Sequence, residues 1–481
     1  MYLGLDLGTS GLKGLLVSHD GTPVGEASAH YGVQQPHAGW SEQDPKVWVD
    51  ALSQVLKNLR IDHAAEFAAL RGLSFSGQMH GAVCLDDTGT PLRPCILWND
   101  TRSAQQAAEL DRMQGQRDIS GNITFPGFTA PKLRWMQDNE PDLFAMVHKV
   151  LLPKDYLSFH LTGRYVTDMS DAAGTSWLDV GARRWSKALL AAGNMRLDQM
   201  PDLVEGCDVI GTPLPQICAE YGLSPTVQVV AGGADNAVAA CGTGTVSQGQ
   251  GFVSLGTSGV LLAARDSYAP DAATAVHTFC HAIPDRWYQM GVILSATDSM
   301  NWLARTLNST PEQLAELVVR DISGPSHITF LPYLSGERTP HNDADIGGAF
   351  IGLRAHSTPA DMTQAVMEGV GYALRDCLNA LRKTGADLEQ LLAIGGGTKS
   401  AFWLNSIATI LNLDLVLPDK GGFGGALGAA RLAMLADGAD IKSALARPKI
   451  QETIKPTDAL ISAYDTGYQR FAKLYPSIKE L

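Results

Sequence analysis

A five-residue turn sequence, LGTSG, occurs twice in this chain, at residues 7–11 and 255–259. The two copies begin 248 residues apart (255 − 7 = 248), about half of the chain length. Glycine lets backbone N–H groups approach an anion closely, and the Thr and Ser hydroxyls add further donors. A single turn of this kind also occurs in ordinary hairpins. Two identical turns half a chain apart predict two duplicated domains that close over one polyphosphate ligand.

The first copy lies at the tip of a predicted hairpin. Residues 2–7 and 12–17 read as strands, and Asp20–Gly21 is typical of a turn into a third strand at 23–27. Walker-type and dinucleotide-binding loops need a helix directly after the turn, and the motif contains neither GxxxxGK[ST] nor GxGxxG. The sequence therefore argues against both of those nucleotide-binding classes.

Composition limits the partners that the chain can have. Its 481 residues suffice for two or three domains, and a net charge of −13 gives no basic surface for nucleic acid or an anionic membrane. The seven cysteines are scattered without a CxxC pair, which favours a reducing compartment. No run of 18 apolar residues occurs, and a turn at Gly8 leaves no room for a signal peptide. We therefore expect a cytoplasmic protein with no nucleic-acid or membrane partner.

Hydrophobic periodicity predicts an α/β protein with two similar halves. A second strand–turn–strand series begins near Val227, and the small and polar residues at 242–251 suit a crossing between domains. We therefore divide the chain into domains at 1–245 and 246–481. Predicted helices lie at 45–59, 102–114, 130–138, 295–307, 311–320, 360–383, 424–437 and 457–475, and one more follows the strand 391–397, capped by Thr398 or Ser400. The glycine-rich run 421–430 either borders a ligand or allows tight helix packing, and the second interpretation is preferred.

Asp6 is the candidate metal ligand. It ends an apolar strand beside the first turn, where a carboxylate would repel a bare phosphate. A carboxylate at this position is reasonable if it holds Mg²⁺, directly or through water. The second copy has Ser254 at the matching position, so only one half would carry the metal ligand. The alternative is a turn carboxylate that caps local N–H groups.

Several long strings resemble the FGGY family of carbohydrate kinases over essentially the whole chain. The segments GFTAPKLRWMQDN (127–139) and GAFIGLRAHSTPADMTQAVMEG (348–369) are similar to the two family signatures. Within the family, the strings are most similar to those of members that phosphorylate D-xylulose. These strings are SGQMHGAV (76–83), LWNDTR (97–102), LLPKDYL (151–157), DMSDAAGTSWLDV (168–180) and FLPYLSGERTPH (330–341).

The resemblance implies a fold and a catalytic base. The fold would be two ribonuclease-H-like domains, of the actin, hexokinase and Hsp70 ATPase type, with a cleft between them. The base would be Asp235, in AGGADNA (231–237). At the end of a strand and after two glycines, its carboxylate can face a cleft and accept the proton of an attacking sugar hydroxyl. The alternative is that Asp235 and Asn236 form only an Asx turn.

The resemblance also implies a sugar site. Met79 and His80 match the family's sugar-contacting pair, with the imidazole binding hydroxyls and the thioether forming an apolar wall. A second cluster suited to a sugar follows, and it comprises Trp98, Asn99, Asp100 and Arg102. Asp100 and Arg102 could instead pair with each other. Glu337 and Arg338 either border the cleft or, as the preferred interpretation, form a structural ion pair.

The implied cofactors are ATP and Mg²⁺. Gly8, Thr9 and Ser10 in the first turn and Gly256 and Thr257 in the second are the candidate phosphate ligands. Adenosine would lie against Gly396 and Gly397, and Asn405 falls where the resemblance puts adenine contacts.

The preferred activity is transfer of a phosphoryl group from ATP to O5 of D-xylulose, by a homodimer. Ribulose, glycerol or gluconate is the alternative acceptor. An actin-like ATPase switch or a sugar sensor without catalysis would not need Asp235 together with the sugar cluster.

Overall fold

Two β-sheets form the framework of the protein. The computed structural model describes residues 1–318, 322–419 and 424–480, so the segments 319–321 and 420–423 and Leu481 lie outside the described residues. The strands of the first sheet are β1 Tyr2–Leu7, β2 Gly11–Val17, β3 Pro23–His30, β4 Gly72–Gly77, β5 Val209–Gly211 and β6 Gln228–Ala234. The strands of the second sheet are β7 Gly251–Leu255, β8 Gly259–Arg265, β9 His277–Cys280, β10 Trp287–Ile293, β11 Gln390–Ile394, β12 Asp414–Pro418 and β13 Ile450–Ile454.

Nine helices of the described residues are nine or more residues long. They are α1 Pro45–Asp62, α2 Thr129–Asn139, α3 Pro153–Thr162, α4 Asp235–Thr243, α5 Thr297–Thr306, α6 Pro359–Lys383, α7 Ala401–Leu411, α8 Gly425–Ala436 and α9 Asp458–Ala472. Shorter helices lie at Ala64–Ala68, Ala104–Asp111, Gln116–Ser120, Pro141–Ala145, Met169–Ala172, Lys187–Ala192, Pro215–Tyr221, Pro311–Glu316, Ile441–Ala444 and Leu474–Ile478. Two-stranded ribbons pair Glu42–Gln43 with Cys95–Ile96, Val83–Leu85 with Lys149–Leu151, Val166–Asp168 with Asp202–Val204, Leu178–Asp179 with Arg184–Trp185, and Thr329–Leu331 with Ala349–Ile351.

The two sheets repeat one topology. The first has the order β5-β6-β4-β1-β2-β3, with β1–β3 antiparallel and β4 and β6 parallel to β1. The second has the order β9-β10-β8-β7-β11-β12-β13, with β7, β8 and β10 antiparallel and β11 and β12 parallel to β7. Apart from the edge strands β5, β9 and β13, each half thus runs β-β-β-α-β-α-β-α, which is the ribonuclease-H-like arrangement that the resemblance implied. The predicted duplication and α/β class are confirmed.

Each half packs one of its helices against the other half. Helix α4 packs among Phe252, Leu262 and Leu392 of the second sheet, and α8 packs among Tyr2 and Leu15 of the first. The two helices also touch each other, because a Cβ at Gly428 would lie 1.8 Å from the Val238 carbonyl oxygen. Glycine at 428 therefore permits backbone contact, which agrees with the helix-packing interpretation of 424–430. Residues 421–423 of that glycine-rich run lie outside the described residues.

Most predicted helices form, with small shifts at their ends. Asp44 caps α1 through Lys46 N, and Ser400 caps α7 through Trp403 N. The strand–turn–strand prediction after Val227 was wrong in one place, since residues 235–243 form helix α4. Its alanines are buried between the sheets, where strand-like and helical apolar runs cannot be told apart from sequence. Among the described helices, none is long and apolar enough to cross a membrane.

Candidate active site

Asp6 lies near the end of β1, against the first turn of α8. A Cβ at Gly425 would lie 2.4 Å from Asp6 Oδ1 and 2.2 Å from the Ser76 hydroxyl oxygen, so glycine keeps this space open. Burial raises the pKa of Asp6, while the Ser76 hydroxyl and the Lys13 ammonium lower it. The positive end of the α8 dipole also favours the ionised form. Asp6 is thus a carboxylate at the junction of the two halves.

The first LGTSG turn is held by four side chains, and two of them, Gln78 and Trp98, belong to the segments that carry the family resemblance. Thr9 Oγ1 accepts from Trp98 Nε1 at 3.0 Å and donates to Gln78 Oε1 at 3.3 Å. The Thr9 carbonyl accepts from Gln43 Nε2 at 2.7 Å, and the Gly8 carbonyl accepts from the Tyr31 hydroxyl at 2.7 Å. Ser10 is exposed. The turn is therefore fixed beside residues 78–80.

The second LGTSG turn lies against the N-terminus of α5. The Gly256 carbonyl accepts from Thr297 N at 2.9 Å and from Thr297 Oγ1 at 2.8 Å. The Thr257 carbonyl accepts from Ala296 N at 2.8 Å, and the Thr257 side chain is exposed. These bonds fix the backbone and leave the hydroxyl open to a ligand.

Asp235 is the first residue of α4, directly after β6. Its Oδ1 accepts from Asn236 N at 2.6 Å and from Asn236 Nδ2 at 3.0 Å, so the Asx interaction that was the alternative is present. Both donors bind the same oxygen, which leaves Oδ2 for another partner. Burial, reinforced by the negative charge of Asp6, raises the pKa of Asp235 to about 6, although Asn236 opposes the shift. Asp6 and Asp235 therefore share one electrostatic environment.

A buried ionic cluster supports the backbone before Asp235. Ser170 Oγ accepts from Ala234 N at 3.0 Å and donates to Asp168 Oδ2 at 2.5 Å. Lys154 Nζ lies 2.9 Å from Asp168 Oδ1 and 3.7 Å from Asp171 Oδ2. Burial raises the pKa of Asp171 well above its ordinary value, partly offset by Lys154. The end of β6 is thus linked through Ser170 to the buried ion pair of Asp168 and Lys154.

His80 has a left-handed backbone, with φ of 72°. Its Nδ1 lies 2.7 Å from the Gly174 carbonyl oxygen, and its ring stacks on Phe128 at a centroid distance of 4.4 Å. Burial, with the Lys132 charge, lowers the pKa of His80 to about 3. The imidazole is therefore neutral at pH 7 with its proton on Nδ1, and Nε2 acts as an acceptor.

Met79 lies in an aromatic wall contributed by both halves. Its sulfur accepts from the Tyr288 hydroxyl at 3.9 Å, and burial raises the pKa of Tyr288 further above its ordinary value, as does the Asp235 charge. The Phe279 ring lies 6.2 Å from the His80 ring and 5.8 Å from the Tyr288 ring, measured between ring centroids. Tyr288 thus contacts the predicted sugar residue Met79 and also feels the charge of the predicted base Asp235.

The second predicted sugar cluster divides into exposed and buried parts. Trp98 is 46% exposed, and Asn99 is exposed beside it. Asp100 and Arg102 are buried and pair with each other, at 2.6 Å between Oδ2 and Nη2, which is the alternative stated above. Arg102 also binds Glu42 Oε1 at 2.6 Å. Only Trp98 and Asn99 are therefore free to face a ligand.

Glu337 and Arg338 do not form the ion pair that was preferred. The Glu337 carboxylate accepts from the backbone N–H groups of Arg338 at 2.7 Å and Leu294 at 3.2 Å. Burial raises the pKa of Glu337 to about 8. The guanidinium instead lies 4.6 Å from the Phe125 ring centroid and 3.4 Å from His277 Nε2. The ion-pair prediction was wrong, because the Arg338 guanidinium lies against Phe125 and His277 instead of the Glu337 carboxylate.

The glycines after β11 border a cavity of about 430 Å³. Gly396 and Gly397 line it together with Thr297, Asn301 and Trp403, and a Cβ at Gly396 would meet no atom within 4 Å. Asn405 lies two residues after Trp403 on α7, and its Nδ2 donates to the Ala401 carbonyl at 2.9 Å. The cavity thus joins two of the predicted nucleotide residues to the helix that holds the second LGTSG turn.

Sequence reasoning missed the charged residues that support the site. These are Lys132, Lys154, Asp168 and Asp171, all fully buried. The available signal was a lysine among apolar neighbours in a helical segment, such as Lys132 before Leu133 and Met136. A buried lysine needs a dedicated partner, and only the structure identifies it.

Sequence profiles of known families decide the family. The FGGY family of carbohydrate kinases matches twice, its N-terminal domain at residues 1–242 and its C-terminal domain at 251–436. The chain belongs to this family. It is therefore a carbohydrate kinase with the two-domain fold of the actin and hexokinase type.

Individual relatives agree over their full length. The chain is 43% identical to the xylulose kinase of Escherichia coli strain K12 over 486 residues, covering 100% of both chains. The crystal structure of a xyloylose kinase from Brucella ovis is 53% identical, with a TM-score of 0.98 and coverage of 100% of this chain and 99% of that one. A gluconate kinase from Lactobacillus acidophilus is 26% identical, with a TM-score of 0.91 and coverage of 99% and 97%.

Proposed function

We propose that this chain transfers the γ-phosphoryl group of ATP to the O5 hydroxyl of D-xylulose, giving D-xylulose 5-phosphate and ADP. The observation that carries the proposal is the Asp235 carboxylate, which has one free oxygen and a raised pKa. The negative charge of Asp6 acts on this carboxylate, and the charge of Asp235 acts in turn on Tyr288, which donates to Met79. Full-length relatives named xylulose kinase support D-xylulose as the acceptor.

Asp235 is the proposed general base. Because Asn236 occupies Oδ1, we infer that Oδ2 accepts the proton of the O5 hydroxyl as that oxygen attacks the γ-phosphorus. A loose transition state needs little basicity early in the reaction, so a carboxylate with a pKa of about 6 suffices. The bond between the γ-phosphorus and the oxygen that bridges it to the β-phosphorus breaks, and ADP is released. Asp235 then passes its proton to solvent.

His80 and Met79 are the proposed sugar contacts. The neutral imidazole holds its proton on Nδ1 for Gly174, so Nε2 can accept a hydroxyl proton from the sugar. Met79 and the aromatic wall exclude water, which lets the sugar rather than solvent receive the phosphoryl group. Trp98 and Asn99 are exposed beside the first turn, where Trp98 binds Thr9, and they are further candidate sugar contacts.

Magnesium–ATP fits the residues opposite the sugar contacts. Gly396 leaves an open cradle beside the 430 Å³ cavity, and Gly425 leaves room for the Asp6 carboxylate. Asp6 would hold the metal, the turns at Gly8–Ser10 and Gly256–Thr257 would hold phosphates, and Gly396 and Gly397 would border adenosine. Bound there, the metal would neutralise charge on the transferring phosphates. Asn405 would contact adenine only after releasing Ala401.

The division of labour follows the two halves. We propose that residues 1–245 bind the sugar and carry Asp6 and Asp235, and that residues 246–481 bind the nucleotide. The gap between the matched family domains, 243–250, supports this boundary. A homodimer in the cytoplasm remains the prediction from sequence.

Gluconate is the alternative acceptor that one observation favours. Among the described residues, no carboxylate lies within ion-pair distance of the Arg338 guanidinium, which faces His277 and Phe125. An acceptor with a carboxylate could pair with it. D-gluconate therefore belongs in the first assay.

The test measures ADP release with Mg²⁺-ATP and D-xylulose, D-ribulose, L-ribulose, glycerol or D-gluconate. We expect D-xylulose to give the highest kcat/KM, and Asp235→Ala to lower kcat by about 10²–10⁴-fold. Asp198→Asn, at an exposed carboxylate paired with Arg196, is the matched control and should keep full activity. ADP release without sugar, or a higher kcat/KM for another acceptor, would contradict the proposal.

A further inference from the structure

The backbone of His80 is held in a conformation that its residue type disfavours. A φ of 72° places a non-glycine residue in the left-handed region, which persists only when neighbouring groups impose it. The orientation of the imidazole depends on this backbone, since the ring must reach both the Gly174 carbonyl and the Phe128 face. Something must therefore fix the His80 peptide unit.

Two donors on helix α2 converge on the His80 carbonyl oxygen. Lys132 Nζ lies 2.8 Å from it, and Thr129 Oγ1 lies 3.1 Å from it. Both side chains are fully buried, and they are one helical turn apart, so they reach the same point from one face of α2. These two hydrogen bonds hold the His80 backbone in the left-handed conformation, which it would otherwise tend to leave.

Lys132 differs from the other fully buried lysine of the site. Lys154 lies within 4 Å of Asp155, Asp168 and Asp171. In the described part of the chain, Lys132 makes no ion pair, and its Nζ donates a hydrogen bond to the His80 carbonyl. Burying a lysine without a carboxylate is costly, and an apolar side chain of the same length would pack there at lower cost. Packing alone does not explain the lysine.

The surroundings of Lys132 permit donation in either protonation state. Burial lowers the pKa of Lys132 to about 7, while Cys95 and Asp100 raise it and Arg102 lowers it. Both the ammonium and the amine carry N–H groups that can donate to a carbonyl. The hydrogen bond to the His80 carbonyl therefore persists on both sides of pH 7.

We propose that Lys132 is a positioning residue for the acceptor sugar, and that it acts through the carbonyl oxygen of His80. This inference rests on the proposed function, because it takes His80 as a sugar contact. Lys132 does not touch the sugar or the nucleotide. By holding the His80 backbone, Lys132 keeps the imidazole Nε2 where it can accept a hydrogen bond from a sugar hydroxyl.

The test is Lys132→Met, which keeps the length of the side chain and removes the donor. We expect the KM for D-xylulose to rise about tenfold or more, the KM for ATP to stay within about threefold, and Tm to be unchanged or higher. D-xylulose should no longer raise Tm, whereas Mg²⁺ with a non-hydrolysable ATP analogue should still do so. Thr129→Val removes the weaker donor and should give a smaller increase in the KM for D-xylulose.

Lys149→Met is the matched control, because Lys149 Nζ also donates to backbone carbonyls, those of Asp198 and Met200, outside the site. It should leave both KM values unchanged. If the wild type phosphorylates D-xylulose and Lys132→Met has an unchanged KM for it, the inference is wrong and the proposed function stands. Equal losses for sugar and ATP with a lower Tm would show a merely structural lysine. If the wild type rejects D-xylulose, the proposed function fails by itself, and a selective KM rise for whichever acceptor it does use would still support the role of Lys132.

Discussion

Asp235 shows at the scale of one residue how a site trades stability for chemistry. Its carboxylate is desolvated at the first turn of α4 and feels the negative charge of Asp6, so its pKa rises to about 6. Only the ionised form can take a proton, and the fold disfavours that form. The residue is therefore active in the state that the folded protein stabilises least.

This shift predicts an acid limb in the pH profile. As pH falls through about 6, Asp235 gains a proton and kcat/KM for D-xylulose should fall about tenfold per pH unit. The measurement is kcat/KM from pH 5 to 8 at constant ionic strength. An acid limb near pH 4, the ordinary range of a carboxylate, would contradict the raised pKa.

The same residue predicts a stabilising substitution. Since the folded-state pKa lies above the ordinary 3.8, the ionised carboxylate lowers stability above pH 6, and protonation relieves this between pH 6 and pH 4. Asp235→Asn should thus raise the free energy of unfolding at pH 7.5, by about 1–3 kcal/mol at most. Its advantage over the wild type should shrink as pH falls from 6 to 4. Denaturant titrations of the variant and the wild type at pH 7.5 and at pH 4 measure the difference in the free energy of unfolding. Equal stability of the two proteins at pH 7.5 would contradict the raised pKa of Asp235.

Helix α8 is the element that ties the two halves together. It belongs in sequence to the second half, yet it packs on β1 and β2 and crosses α4. Small residues make this possible, since a Cβ at Gly4 would lie 1.7 Å from the Ala426 carbonyl oxygen. Close packing of a helix on a sheet and on a second helix leaves no free volume for a larger side chain.

Gly428→Ala should therefore destabilise the protein. The new Cβ would lie 1.8 Å from the Val238 carbonyl oxygen, so α4 and α8 must separate. We expect a loss of about 1–3 kcal/mol or more in the free energy of unfolding, measured by denaturant titration. Gly32→Ala is the control, because a Cβ there meets no atom within 4 Å. Equal stability of the two variants would contradict the tight crossing.

At the scale of the whole molecule, a side chain of the first half binds the edge of the second sheet. Asn122 Nδ2 donates to the Thr278 carbonyl at 2.9 Å, and Asn122 Oδ1 accepts from Thr278 N at 2.9 Å. The amide thus pairs with β9 as a neighbouring strand would, and it covers a sheet edge. Nearby, the Val180 carbonyl accepts from Trp287 Nε1 at 2.9 Å. The halves are therefore coupled by these hydrogen bonds as well as by α4 and α8.

Asn122→Asp should weaken this coupling. The carboxylate keeps the shape but cannot donate to the Thr278 carbonyl, which is left buried and unpaired. We expect a loss of about 1–3 kcal/mol in global stability and faster amide hydrogen exchange in β9. Asn139→Asp, whose amide bonds only its own helix at Trp135, is the control and should leave exchange in β9 unchanged. Unchanged exchange in β9 of Asn122→Asp would contradict the coupling.

The predicted site residues differ in how far local sequence could determine them. The hairpin turns and Asp6 follow from strand periodicity and turn chemistry, which are local. The pairing of Asp100 with Arg102 was one of two options, and only the burial of both side chains decides it. Helix α4 was missed because it is a short and largely apolar run, which periodicity alone cannot distinguish from a buried strand.

The sequence by itself determined the duplication and the family, because both depend on comparing strings of residues and not on how the chain folds. It also determined the hairpin turns and selected Asp6, His80 and Asp235 as candidates, because those interpretations depend on residues that are close together in the chain. The tertiary structure alone decided which partners these residues have. Lys132 reaches the His80 carbonyl across 52 positions, Ser170 supports Ala234 across 64, and α8 crosses to the opposite sheet. Such contacts depend on how buried surfaces and unpaired polar groups are satisfied over the whole fold, and no local pattern records that balance.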